Sequence, residues 1–183
     1  MATTTTKNYM KEKEGKVFDA LKGQFGYTNV MQAPRLSKLV VSVGVGSVKD
    51  KKKIELIANR LGRITGQKAA VRNSTKSIAT FKVRVGDIAG YQTTLRGARM
   101  REFIDKLLNI AFPRTKDFRG LDPKGIDAMG NFSIGVKEHT IFPETSDEEL
   151  KDVFGMSITI VTTSKTKQET KAFLDVLGFP FKR

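Results

Sequence analysis

Apolar and polar residues alternate along several short segments of this chain, and stretches of helical periodicity separate them. The alternation is clear from Leu39 to Val45 and recurs in Ser77–Val85, Tyr91–Arg96, Phe132–Val136 and Met156–Ile160. A period of two predicts strands with one buried face, because strands buried on both faces have unbroken apolar runs. We therefore expect a sheet with one face open to solvent.

Helical periodicity predicts two helices between these strands. The clearest apolar stripe runs from Met100 to Ala111 and should end at Pro113, since proline cannot continue a helix. A second helix is expected from about Lys49 to Arg63, with Ser47 as its N-cap.

The two ends of the chain also have helical patterns. The sequence Thr166-Lys-Gln-Glu169 has the spacing of a capping box, and the helix that it opens should stop at Gly178. A weakly amphipathic helix is expected over about 8–23. Together these elements predict an α+β fold, with a mainly antiparallel sheet, helices packed on one face and an open polar, basic face.

The open face of the predicted sheet should carry mostly polar and cationic side chains. We expect there Lys38, Ser42, Lys82, Arg84, Gln92, Thr94, Arg96 and Lys137. Such a face can meet the phosphates and 2′-hydroxyls of RNA. An ordinary solvated sheet face would have a similar pattern, so the face alone does not decide the function.

The distribution of charge narrows the choice of partner. The net charge is +14, and residues 1–100 hold 20 Lys and Arg against 6 Asp and Glu, whereas residues 101–183 hold 13 of each. Seven basic residues and no acid lie between Glu55 and Asp87. This field attracts a polyanion, and we favour nucleic acid over a merely soluble basic surface or an anionic membrane.

Signals for catalysis or cofactor binding are weak. The turn Gly44-Val-Gly46 has neither the glycine spacing of a dinucleotide site nor a Walker loop. There is no cysteine, and His139, the only histidine, is expected to be an ordinary polar residue at a strand end. The acidic run Asp147–Glu149 is expected to be solvated. We predict no enzyme activity, no metal site and no cofactor.

Targeting signals are also missing from the sequence. The first fifteen residues lack an apolar core, and no run of eighteen apolar residues occurs, so we expect a cytoplasmic protein without a membrane partner.

Two segments are polar and look suited to contact rather than packing. Arg72–Ser77 reads Arg-Asn-Ser-Thr-Lys-Ser and contains no apolar anchor. Pro113–Gly130 spans 18 residues without a clear period and mixes both signs of charge. Loops of that length are usually functional or disordered, and the mixed charges favour a protein partner.

The order and spacing of many short motifs resemble the large-subunit ribosomal protein five family, of the bacterial type. The matching motifs include Pro34-Arg35, Val43-Gly-Val-Gly46, Gln67-Lys68, Lys76-Ser-Ile-Ala79, Phe81-Lys82, Thr94-Leu-Arg-Gly97, Asp117-Phe-Arg-Gly120, Ile141-Phe-Pro-Glu144 and Gly178-Phe-Pro-Phe181. The likeness runs from about Met31 to Phe181. We accordingly expect one domain over 1–183, with a family core at 31–181 and a helical N-terminal extension at 1–30.

The resemblance implies a structural constituent of the large ribosomal subunit, which binds 5S rRNA and 23S rRNA in the central protuberance beside neighbouring large-subunit proteins. It implies that the segment around 72–79 approaches the peptidyl-site (P-site) tRNA. It also implies that the loop 113–130 reaches a small-subunit head protein across an intersubunit bridge. Many relatives have asparagine, arginine and arginine where this chain has Ser42, Thr75 and Met129.

These implications assign three groups of site residues. Expected rRNA contacts are Arg35, Lys38, Ser42, Lys68, Lys82, Arg84, Gln92, Thr94 and Arg96. Expected tRNA contacts are Arg72, Asn73, Ser74, Thr75, Lys76 and Ser77. Expected bridge residues are Arg114, Lys116, Asp117, Arg119, Asp122 and Lys124.

Two functions of other classes compete with this reading. A nucleic-acid-acting enzyme or nucleotide-binding protein needs convergent carboxylates or a phosphate loop, and the basic half has only six scattered acids. A DNA-binding protein outside the ribosome needs a recognition helix rich in Arg, Asn and Gln, and none stands out.

Overall fold

The computed structural model describes residues 9–48, 50–116, 118–145 and 153–182. It divides into two compact units, each assembled from separate stretches of chain. Unit 1 comprises Met1–Lys38, Arg96–Phe132 and Ile160–Arg183, and unit 2 comprises Leu39–Leu95 and Ser133–Thr159. Within the described ranges, no helix is both long enough and apolar enough to cross a membrane.

Unit 2 holds most of a five-stranded sheet. Its strands are β1 (Leu36–Gly44), β2 (Ala70–Asn73), β3 (Ile88–Leu95), β4 (Phe132–Val136) and β5 (Met156–Thr162), in the order β2-β3-β1-β5-β4. Strand β3 pairs antiparallel with both β1 and β2, and Leu39 lies opposite Leu95. The predicted α+β class and four of the five predicted strands are confirmed.

The alternation seen in the sequence becomes alternating burial in the strands. Leu39, Val41 and Val43 of β1 are buried, whereas Val40 and Ser42 between them are partly exposed. The same rule holds in β4 and β5, where every second residue is buried. One face of the sheet is therefore core and the other is open.

Helix α2 (Lys51–Thr65) belongs to unit 2 and packs against β3. Ile57, Leu61 and Ile64 are its buried apolar residues. The expected N-cap at Ser47 is wrong, because the Asp50 carboxylate accepts a hydrogen bond from the Lys52 backbone N–H and starts the helix later.

Unit 1 is mainly helical. Its elements are α1 (Tyr9–Phe25), α3 (Gly97–Lys106), a π-helical turn (Leu107–Ala111), α4 (Phe112–Arg114) and α5 (Lys167–Leu177). Helix α1 packs against α5 and α3, and the Arg101 guanidinium pairs with the Glu14 carboxylate at 2.7 Å.

Pro113 does not end the helix that precedes it, contrary to the sequence prediction. The Phe112 N–H bonds to the Leu107 carbonyl five residues back, which makes the wide π turn. A new helical turn starts there, and Pro113 occupies its beginning, where a missing N–H costs nothing. The helix therefore continues to Arg114.

The predicted capping box of α5 is half formed. The Thr166 hydroxyl accepts a hydrogen bond from the Glu169 N–H, as the pattern predicts. The Glu169 carboxylate instead accepts from the Lys165 N–H and from the Tyr27 hydroxyl. The helix ends at Gly178, whose φ of +92° favours glycine, and this end is confirmed.

The strand predicted over Ser77–Val85 is wrong. The structure has a 3-10 turn at Ala79–Phe81 and only an isolated bridge between Ile78 and Val83. Lys82 adopts a φ of +53°, which a strand cannot accommodate. The apolar residues of this segment therefore lie in solvent, with Phe81 71% exposed.

Candidate nucleic-acid interface

The open face of the unit 2 sheet carries hydroxyls and amides. Ser42 lies opposite Gln92, and Val40 lies opposite Thr94, so these side chains share one side of β1 and β3. On β4 and β5 the hydroxyls of Ser133 and Thr159 are 3.1 Å apart. Such groups can both donate and accept hydrogen bonds, as 2′-hydroxyls and base edges do.

This face is less cationic than the sequence predicted. Lys82 and Arg84 do not lie on it, because the strand expected to carry them does not form. Arg72 of β2 adds a positive charge to this face. Its Nε donates a hydrogen bond to the Gln92 Oε1 at 2.6 Å, which holds the guanidinium beside the sheet. Lys137 follows β4 and is exposed.

The chain between β2 and β3, residues 74–87, forms an arm stiffened by its own backbone. Ser74 N–H donates to the Asp87 carbonyl at 2.8 Å, and Gly86 N–H donates to the Ser74 carbonyl at 3.0 Å. Nearer the tip, the Val85 N–H donates to the Ser77 hydroxyl at 3.0 Å. The arm is therefore ordered although nearly all of its side chains are exposed.

The exposed side chains of this β2–β3 arm include three cations and three large apolar groups. Lys76, Lys82 and Arg84 are exposed, and so are the large apolar residues Ile78, Phe81 and Val85. The Arg84 side chain is not needed for the turn, because its backbone N–H makes the bond to the Asp87 carboxylate. An exposed aromatic ring among cations suits both phosphates and unpaired bases.

Sequence reasoning missed Phe81, because its place in an alternating segment made it resemble a core residue. The sequence signal that could have identified Phe81 as a surface residue was the acid-free run around it, with Lys82 directly following.

The segment 72–77 straddles two structural elements. Arg72 and Asn73 end β2, with a register shift between them, and Ser74 begins the arm. Thr75, Lys76 and Ser77 are exposed, and the Ser74 hydroxyl donates to the Lys76 carbonyl at 2.8 Å. Lys68, between α2 and β2, is exposed as well.

Three of the expected rRNA contacts lie in unit 1. Arg35 precedes β1, and its backbone N–H donates to the Thr163 hydroxyl at 2.9 Å. Its exposed guanidinium is 3.1 Å from the Met31 sulfur. Lys38 is half-buried on β1, and Arg96 is an exposed residue at the N-cap of α3.

The loop 113–130 is more ordered than its sequence suggests. The Leu121 N–H donates to the Pro180 carbonyl at 2.7 Å, and the Lys182 N–H donates to the Leu121 carbonyl at 2.8 Å. Leu121 and Ile126 are buried. Charged residues before and between these two buried residues are exposed: Arg114, Lys116, Arg119, Asp122 and Lys124.

Two of the expected bridge residues need comment. The Asp122 carboxylate accepts from the Lys124 backbone N–H at 2.9 Å and so caps the short 3-10 turn Pro123–Gly125. Asp117 lies outside the described residues.

The loop ends in a tight turn, Asp127–Gly130. The Asp127 carboxylate accepts from the Asn131 backbone N–H at 2.7 Å and from its side-chain amide at 2.9 Å. Met129 projects from the turn and is 76% exposed.

The turn should loosen in acid. The hydrogen bonds from Asn131, first from its side chain and then from its backbone, hold the pKa of Asp127 below its ordinary value of 3.8. A carboxylate whose pKa is lower in the folded state than in the unfolded state stabilises the fold at pH values above its unfolded-state pKa. This stabilisation is lost as the pH falls through the folded-state pKa. The Asn131 amide resonance, followed by NMR, should therefore be constant near neutral pH and should titrate with a midpoint below the ordinary value of 3.8. In Asp127→Asn the acid shift should be absent, and a shift that persists would assign it to another group.

The residues considered for catalysis have structural roles. His139 is fully buried and stacks on Phe154, with ring centres 4.1 Å apart, so it is not accessible to a substrate. The Gly44–Gly46 turn stands ahead of α2, whose N-terminus is already capped by Asp50. Lys49 and the acidic run 147–149 lie outside the described residues.

Two family models and several known proteins match this chain. Residues 29–84 match the family model described as ribosomal protein L5, and residues 88–181 match the model for the C-terminus of the same ribosomal family. A protein of Flavobacterium johnsoniae is 48% identical over 179 residues, which cover 97% of this chain and 98% of the relative. One from Caldanaerobacter subterraneus is 48% identical over 174 residues, covering 94% and 97%. One from a Thermotoga species is 47% identical over 171 residues, covering 93% of each. All three are large ribosomal subunit protein uL5.

The two family models and these relatives define the class of protein, a structural ribosomal protein rather than an enzyme. The chain belongs to the ribosomal protein L5 family. It is a structural constituent of the large ribosomal subunit, and its place is the ribosome, a cytoplasmic particle.

Proposed function

We propose that this chain holds 5S rRNA and 23S rRNA together in the central protuberance, contacts P-site tRNA and joins an intersubunit bridge to a small-subunit head protein. The observation that carries the proposal is the combination found in unit 2. An open face of hydroxyls and amides adjoins an ordered arm with three exposed cations, and no acid lies between Glu55 and Asp87.

The two parts of unit 2 would do different work on RNA. Ser42, Gln92 and Thr94 are neutral and partly exposed, so they suit hydrogen bonds to 2′-hydroxyls and base edges in a shallow groove. The cations of the arm suit phosphates, whose neutralisation releases counterions and supplies most of the affinity. Lys68 adds a further exposed cation beside β2. We propose Arg35, Lys38 and Arg96 of unit 1 as additional rRNA contacts.

The tRNA contact is proposed for the outer part of the segment 72–77. The Arg72 side chain is bonded to Gln92 and so is tied to the sheet face, where rRNA would lie. Thr75, Lys76 and Ser77 are exposed at the start of the arm. One cation and two hydroxyls can touch a tRNA backbone without holding it tightly, which suits a tRNA that must leave.

The bridge contact is proposed for the loop 113–130. Arg114, Lys116, Arg119 and Lys124 are exposed, whereas the Asp122 carboxylate is engaged in capping. The loop offers four exposed cations against the carboxylates of Asp122 and Asp127, so its partner should present acidic side chains. Asp117 remains a proposed bridge residue on its sequence position alone.

The proposal is tested by recovering the tagged chain from lysed cells after mild crosslinking and sequencing the bound RNA. Both 5S rRNA and 23S rRNA should be enriched over their share of total RNA. Recovery of messenger RNA fragments in random proportion, with 5S rRNA at its background level, would be incompatible with the proposal.

The exposed ring of Phe81 gives a specific prediction. Phe81→Ala should weaken binding to 5S rRNA about fivefold or more, because one base stacked on an aromatic ring contributes roughly 1–3 kcal/mol. Filter binding with purified 5S rRNA measures the change. Stability in urea should be unaltered, since the ring is in solvent.

Val85→Ala is the matched control, because Val85 is a similarly exposed apolar residue of the same arm but has no ring. It should bind nearly as well as the unchanged protein. Equal losses in both variants would mean that apolar packing, not stacking, explains the contact.

A further inference from the structure

Unit 1 contains a cavity of about 280 Å³ that none of the proposed RNA contacts uses. It lies among α1, the helix running from α3 to α4, and the residues after α5. The walls that matter here are Tyr9, Lys13, Asp105, Phe112, Phe118 and Pro180. The volume suits one side chain or a small planar group.

A buried carboxylate oxygen gives this cavity its chemistry. The Oδ1 of Asp105 is buried and has no hydrogen-bond partner among the residues that the structure describes. Burial raises the pKa of Asp105, while a bond from the Met10 backbone N–H and the charge of Lys13 act against the rise. A buried acceptor without a donor is costly and rare, so a donor that satisfied the Asp105 carboxylate would stabilise this site.

Lys13 does not supply that donor. Its Nζ donates to the Leu177 carbonyl at 2.6 Å and lies 4.5 Å from the centre of the Tyr9 ring. Gly178 leaves room for this position, since a Cβ there would stand 2.7 Å from the same Nζ. The lysine is thus held at the carbonyl end of α5. Arg101, near in sequence to Asp105, is paired with Glu14.

Several further walls of the cavity are flat and apolar. Phe112 and Phe118 stack with ring centres 5.2 Å apart, and Pro180 adds a further apolar wall. The wall from Leu108 to Asn109 belongs to the π-helical turn. Such turns are less stable than an α-helix and are frequent at functional sites.

We propose that this cavity binds the guanidinium group of one arginine from a partner protein. The group is flat, so it can stack on an aromatic wall, and its N–H groups can donate to the carboxylate of Asp105, which lines the cavity. The ammonium of a lysine is a compact point charge and cannot lie flat against an aromatic ring as a guanidinium does. RNA is the poorer candidate, because the Asp105 carboxylate repels phosphate and Lys13, a cation of the cavity wall, is held at the Leu177 carbonyl.

The test is an NMR titration of the full chain with N-ethylguanidinium, with N-ethylurea as a neutral probe of the same shape. Saturable shifts are expected at the amides of Asn109, Phe118 and Gly178. In Asp105→Asn, which keeps an acceptor for the Met10 N–H, affinity should fall about tenfold or more, as for loss of a charge-assisted hydrogen bond. Asp175→Asn removes an exposed carboxylate of α5 and should leave the titration unchanged.

Phe118→Leu provides a second variant if Asp105→Asn disturbs the fold. It keeps an apolar wall but removes the ring, and guanidinium binding should weaken several-fold while 5S rRNA binding stays unchanged. Shifts that do not saturate, that are equal with ethylurea, or that persist in both variants would overturn the proposal. Stronger shifts with adenosine monophosphate than with ethylguanidinium would also overturn it, because the site would then favour nucleotides.

Discussion

Replacing Lys82 and Arg84 together by glutamine should weaken 5S rRNA binding about twentyfold at physiological salt, because each phosphate contact adds roughly 0.7–0.9 to the slope of log affinity against log salt. The slope should fall by roughly one to two units. Both side chains are exposed on the β2–β3 arm, and the hydrogen bonds that order the arm use the backbone donors of these residues. Folding should therefore survive, and filter binding between low and high salt measures the effect.

The control removes equal charge from another surface. Lys51 and Lys52 are exposed on α2, and their replacement by glutamine lowers the net charge by the same amount. If binding depends on the arm and not on net charge, this variant should lose less than about fivefold, since distant surface charges are screened. Equal losses in the two variants would mean that the attraction is a property of overall charge.

Gly130→Ala should destabilise the protein by about 3 kcal/mol, which combines the cost of a left-handed alanine with that of overpacking. Gly130 has a φ of +80°, and a Cβ there would lie 2.5 Å from the Ser164 carbonyl oxygen and 2.9 Å from the Thr170 hydroxyl. Its own carbonyl accepts hydrogen bonds from Thr162 and Thr170. The turn therefore cannot move aside without breaking buried hydrogen bonds. A urea midpoint well below that of the unchanged protein is expected.

Gly15→Ala is the matched control for this loss. Gly15 lies within α1, and a Cβ there would meet nothing within 4 Å. Alanine should raise stability by roughly 0.5–1 kcal/mol, because glycine is the poorer helix former. An unchanged midpoint for Gly130→Ala would show that the turn adapts, and the described packing around it would be wrong.

Sequence periodicity correctly predicted the strands that pair with neighbouring strands and bury their apolar residues. Strands β1, β4 and β5 follow the alternation because their apolar residues reach the core. The segment Ser77–Val85 has the same alternation but forms an exposed arm. Local pattern could not separate the two, because a strand forms only when a neighbour pairs with it, and pairing is a tertiary property.

The ends of α2, α3 and α5 likewise fall into two groups, those that local sequence predicts and those that depend on the rest of the structure. The end of α5 at Gly178 follows from local chemistry, since glycine takes the left-handed position at low cost. The continuation past Pro113 depends on a π turn, which has no local sequence signal. The start of α2 was misplaced because both Ser47 and Asp50 are good caps, and only the backbone path selects between them.

The sequence predicted which types of residue form the candidate site better than it predicted where those residues lie. An acid-free basic run predicted a polyanion-binding region between Glu55 and Asp87, but not that Lys82 and Arg84 leave the sheet face or that Phe81 is exposed. The order of the loop 113–130 was missed because backbone hydrogen bonds to residues 180–182 hold it. Such bonds leave no side-chain pattern for sequence reasoning to detect.

Photocrosslinking of the purified chain to 5S rRNA, with the linked tryptic peptides mapped by mass spectrometry, tests the RNA-binding surface most directly. Crosslinks should concentrate in Ser77–Lys82, from the arm, and in Val85–Arg96, which contains Gln92 and Thr94 of the open face. Peptide Ile54–Arg60 of α2 should remain unlinked. Crosslinks concentrated in α2, with the arm and β3 clean, would contradict the account.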